Sequence, residues 1–101
     1  MGLFKFGKKK DLQSIDLKTL LSAEETALLI GELNTTAARV PGETSAMMSA
    51  MAETIKEGVA IPFKQGLDLC ISAINMNEAF HEAKSGSREL VKKLEAIRKQ
   101  K

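Results

Sequence analysis

His81 is the only histidine in this chain and Cys70 the only cysteine. They are the natural candidates for acid–base or nucleophilic work. Such chemistry needs a nucleophile, a base within hydrogen-bond reach and a group that orients the base. Eleven residues apart on one predicted helix, the two are separated by roughly 16 Å at the standard helical rise and cannot meet within one chain. Cys70 therefore reads as core packing, because free cysteine is among the most buried residue types. A lone cysteine forms no internal disulfide, which fits a reducing, cytoplasmic setting.

The run Glu78-Ala-Phe-His81 places a carboxylate and an imidazole on one helical face. Carboxylate-bridged bundles use that pair twice, with a Glu from each of two further helices. Here it occurs once, so a metal centre would need a second copy of the chain, with Glu32 or Glu53 completing the ligands. Set against this is a solvated polar face with one incidental histidine, and the expectation is no cofactor and no resident metal. Phosphate-cradling glycine patterns are missing. Ala27, four residues before Gly31, matches the spacing of a helix-turn-helix. However, Glu32 stands where that motif wants an apolar residue, and Pro41 would cut the recognition helix short. With no catalytic set, the expectation is a non-enzymatic protein.

Three features suit association better than catalysis. The first is MGLFKFGKKK at residues 1–10, read as a flexible basic arm. Leu3, Phe4 and Phe6 are wedges among Lys5, Lys8, Lys9 and Lys10, a combination that suits an anionic membrane surface. The alternative is a solvated tail. Gly2 does not complete a myristoylation motif, since residue 6 is Phe. The second feature is a line of Met48, Met51 and Ile55, with Met47 alongside, among small residues, readable as core or as an adaptable docking surface. The third is a helix apolar on two sides, with Phe63, Leu67, Cys70, Ile71 and Ile74 on one and Leu69, Ala73, Met76, Phe80 and Ala83 on the other. A helix apolar on two sides is buried on two sides. Leu69, Met76 and Phe80 join the methionines as partner-interface candidates.

These features need helices to position them. Ser22-Ala-Glu-Glu25 is a capping box, and the helix it opens runs to Pro41-Gly42, which ends it. A second helix is predicted over residues 43–57, closing near Gly58. A third begins near Pro62, a residue favoured in the first turn, and runs to about Lys84. It is either separate from the second or a kinked continuation of it. Ser87 is read as the cap of a fourth, with Leu90, Val91, Leu94 and Ile97 on its apolar face. Before these, Leu12, Ile15, Leu20 and Leu21 fit either a short helix capped at Asp11 or an apolar lead-in. No convincing strand is legible.

Bulk properties agree. A chain of 101 residues with 44% hydrophobic and 28% charged residues is ordinary for one folded domain. No stretch suggests a secretory signal or a membrane span. Charge is unevenly placed: +4 over residues 1–10, −7 over 11–83 and +5 over 84–101. Such asymmetry bears on partners rather than fold. The fourth helix, with Lys92, Lys93, Arg98 and Lys99, offers nucleic acid a nonspecific cationic face but no aromatic for stacking, so nucleic acid is disfavoured.

The reading is an all-α bundle of three to four helices over residues 11–101, behind a basic arm at 1–10. The expected function is a helical adaptor, accessory subunit or scaffold that self-associates or docks on a partner protein. Peripheral attachment to the inner face of a membrane is the alternative. Nucleic-acid binding and a dimer-assembled metal bundle are the further ones.

Overall fold

Helix formation here follows local signals wherever they are strong. Ser22 caps the first long helix as the capping box requires: its hydroxyl accepts from the Glu25 backbone N–H, and the Glu25 carboxylate accepts from the Ser22 N–H. In the computed structural model, which describes residues 14–100, the elements in order are strand β1 (Ser14–Ile15), helix α1 (Leu17–Leu20), helix α2 (Ala23–Arg39), helix α3 (Gly42–Lys56), strand β2 (Ile61–Pro62), helix α4 (Phe63–Ala79) and helix α5 (Ser87–Lys99). The all-α reading holds. The basic segment with Leu3, Phe4, Lys5, Phe6, Lys8, Lys9 and Lys10 lies outside the described residues.

Several local expectations are corrected. The short lead-in helix α1 is capped by Asp16, whose carboxylate accepts from the Lys18 N–H at 3.0 Å. A two-residue antiparallel ladder joins β1 to β2, pairing Ser14 with Pro62 and Ile15 with Ile61. Dipeptide strands have no readable periodicity, which is why neither was expected. This ladder also separates α3 from α4, so they are distinct helices. Gly31 makes no turn: α2 runs unbroken through it, and the helix-turn-helix spacing has no counterpart in the fold.

Helix α3 folds back along α2 after the two-residue link Val40–Pro41, and the Ser45 hydroxyl donates to the Ala37 carbonyl across the turn. Helix α4 packs on α2, and α5 packs on α4 and α2. Helices α2 and α4 together occupy the centre of the bundle, with α3 against α2 and α5 against both. One continuous core joins Leu17, Leu29, Leu33, Met48, Ile55, Ile61, Leu67, Cys70, Ile74 and Leu94. Burial pushes the Cys70 thiol up to about 12, so it stays protonated and unreactive.

The approach of β2 to α4 depends on one glycine. A Cβ on Gly66 would sit 2.6 Å from Cδ1 and 2.9 Å from Cγ1 of Ile61, inside any allowed contact. Ile61 is thereby keyed into the hydrogen-only surface of Gly66 and is buried. Gly66→Ala should destabilise the fold by about 1–3 kcal/mol through overpacking, although Ala is the better helix former by about 1 kcal/mol. Urea titration checks this. In an Ile61→Ala background the same change should be neutral or stabilising, because the clashing atoms are gone.

Candidate functional site

The most specific polar chemistry in the described residues surrounds Glu32, in the middle of α2. None of its surface is exposed. Its Oε1 accepts from Asn77 Nδ2 at 2.6 Å, and its Oε2 accepts from the Lys84 backbone N–H at 2.7 Å and the Ser87 hydroxyl at 2.6 Å. Asn77 Nδ2 also donates to the Glu32 carbonyl at 3.0 Å. Three donors from α4, from the α4–α5 connection and from the start of α5 thus converge on one carboxyl group. Buried polar groups are tolerated only when bonded in this way.

The network continues toward the surface. Asn77 Oδ1 accepts from Arg39 Nη1 at 2.8 Å and lies 2.9 Å from the Thr36 hydroxyl, which is also 3.1 Å from the Ala73 carbonyl. Arg39 pairs with Glu82 and lies over the Phe80 ring, 4.6 Å from its centroid. Phe80 remains 56% exposed. Five side chains from α2, α4 and the connection therefore form one polar chain, from the buried Glu32 to the exposed Glu82.

Sequence reasoning missed this site. A glutamate inside a helix ordinarily reads as solvated. The available signal was position: Glu32, Thr36 and Arg39 recur at helical spacing beside the apolar line of Leu29 and Leu33. Ser87 was read as a cap, but its hydroxyl is committed to Glu32. The position before α5 belongs to Gly86, at φ 91°, with no side-chain cap.

The Glu78–His81 pair does not form a shared helical face. Helix α4 ends at Ala79 rather than near Lys84, in a Schellman turn: the Glu82 N–H donates to the Asn77 carbonyl and the His81 N–H to that of Glu78. His81 occupies the left-handed position, φ 59°. Glu78 is engaged by Arg88 at 2.5 Å. Among the described residues no three His, Cys, Asp or Glu side chains gather as metal ligands. An open depression of about 330 Å³ is lined by Glu78, His81, Lys84, Ser87 and Arg88. Ser87 is buried beneath it, so its hydroxyl is closed to a substrate.

The interface candidates divide. Met48 and Ile55 are core residues, closed to any partner. Met51, Leu69 and Met76 are half-buried, while Met47 and Phe80 are exposed. The basic helix α5 is partly neutralised from within. Lys93 pairs with Glu25, Arg98 with Asp68 and Arg88 with Glu78. The pair with Lys93 holds the Glu25 carboxyl below its ordinary value.

Compared with protein-family models, curated proteins and solved structures, the chain matches none.

Two substitutions probe this site. Glu32→Ala strands the Lys84 N–H and the Ser87 hydroxyl and should cost roughly 3 kcal/mol. The Lys84 amide should lose hydrogen-exchange protection. His81→Gly should instead stabilise by about 1 kcal/mol, since only glycine adopts the left-handed region without a Cβ penalty. Helix α3 ends in the same motif with Gly58, at φ 76°. Thermal unfolding reads both effects.

Proposed function

We propose that this chain is a non-enzymatic helical interaction module whose α3 receives an amphipathic helix of a partner protein. The observation that supports this reading is the outward face of α3. Its inner face is spent on the core through Met48, Ala52 and Ile55. On the outer face Ala46, Met47 and Ala50 are all exposed, Met47 by 52%. Two alanines allow a helix backbone to come close, and the flexible methionine adapts to what arrives.

The rim of this face selects the partner. Glu43, Glu53 and Glu57, all exposed, recur on the same side at helical spacing. A second copy of α3, in either direction, would set these acids against their like, which opposes association. A partner helix with lysines or arginines flanking its apolar line has the complementary pattern. The proposed setting is the cytoplasm, where Cys70 stays reduced.

A second reading, attachment to an anionic membrane, is favoured by residues 1–10. Their four lysines each contribute on the order of 1 kcal/mol near such a surface. No helix among the described residues is long and apolar enough to cross a membrane, so this attachment is peripheral.

A photo-crosslinking residue at position 47 should give a discrete adduct in cells of origin, and one at position 92 on α5 should not. Ala46→Glu with Ala50→Glu should abolish the adduct while leaving helicity and sedimentation unchanged. Equal crosslinking from both positions, or an adduct that survives the double variant, overturns the reading.

A further inference from the structure

We propose that the outer side of α4 binds the same side of a second copy of this chain, the two helices lying antiparallel with Ser72 at their crossing. This surface is separate from the outward face of α3, and neither reading depends on the other.

Along α4, Gln65, Leu69, Ser72, Met76 and Ala79 recur at alternating steps of four and three. That spacing sets them in one line on a helix, as in the seam of a coiled coil. Gln65, Ser72 and Ala79 are exposed, and Leu69 and Met76 are half-buried. Phe80, also exposed, extends the line: its N–H still donates to the Met76 carbonyl at 3.2 Å, which keeps it in helical step.

No member of the line is charged. Helix α4 carries Lys64, Asp68 and Glu78, and all three fall on the side turned away from it. Asp68 meets Arg98 and Glu78 meets Arg88, both from α5, and Lys64 stands one turn before Asp68. Arg39, over the Phe80 ring, is answered by Glu82. A second copy therefore meets no repelling charge here, whereas copies joined through α3 would set acids against acids. A partner with charged flanks finds no complement along this line, so it favours its own like.

Antiparallel pairing sets the helix dipoles in the favourable sense. Ser72 is the midpoint between Gln65 and Ala79. With Ser72 opposite its counterpart, Leu69 of each copy lies beside Met76 of the other, and the small serine lets the backbones approach. The line is about 21 Å long at the standard rise. Such a contact is smaller than a standard interface, so the dimer forms in the micromolar range.

Sedimentation equilibrium of the full chain across that range should show a monomer–dimer exchange. Ser72→Glu, at an exposed position, should weaken the dimer more than about tenfold by setting like charges together, with helicity unchanged. Ser72→Lys should do the same, and an equimolar mixture of the two variants should dimerise again. Under mild oxidation Ser72→Cys should form a disulfide between copies. Gln65→Cys, held about 21 Å from its counterpart in this register, should not, and the native Cys70 is buried. A monomer throughout the range overturns the proposal and leaves the α3 reading standing. A dimer that Ser72→Glu leaves intact also overturns it, as does Gln65→Cys crosslinking as readily as Ser72→Cys.

Discussion

A carboxyl group without solvent is the constraint around which this fold is arranged. Removing Glu32 from water costs several kcal/mol unless hydrogen-bond donors replace the solvent. Its two oxygens take donors from α4, from the connection after it and from the first residue of α5. The path of residues 80–87 follows from that demand. The chain must leave α4 early enough to present the Lys84 N–H, and must enter α5 with the Ser87 hydroxyl turned inward. The left-handed His81 and a start of α5 without a side-chain cap flank this arrangement. Strain of this kind persists where surrounding structure over-determines it.

Helix α5 is accordingly held by means other than its cap. Leu90, Val91, Leu94 and Ile97 are buried in one line. Around that line, Arg88, Lys93 and Arg98 meet Glu78, Glu25 and Asp68. Each exposed pair contributes little alone. Together they decide what the charge asymmetry means. The acidic middle of the chain and its basic final stretch answer one another inside the molecule, which weakens the case for α5 as a nucleic-acid surface. Residues 1–10 hold four further lysines, interleaved with Leu3, Phe4 and Phe6. That is why the membrane-attached reading is assigned to that segment and not to α5.

The two proposed surfaces are physically independent. The outward face of α3 combines small residues, one adaptable methionine and an acidic rim. Leu20 and Val59, both exposed, lie outside that face.

Signals contained within a few residues were fully legible. The Ser22–Glu25 capping box involves side chains three positions apart and needs nothing distant. The Pro41-Gly42 break and the Gly58 terminus are equally local, because proline and glycine restrict or free their own backbone. The apolar line of α5 announced its buried face. Tertiary structure decided everything that depended on a neighbour far along the chain. In the sequence Glu32 is at most a spare metal ligand, and its buried role appears only when Asn77, forty-five positions later, and Ser87 supply its donors. Ser87 reads as a cap until Glu32 claims its hydroxyl. Helical spacing sets Met48 in line with Ile55 and Met47 beside it, but how far each is covered depends on where α2 lies. Local backbone preference is written in adjacent residues, whereas a buried polar group is defined by partners that only folding brings together.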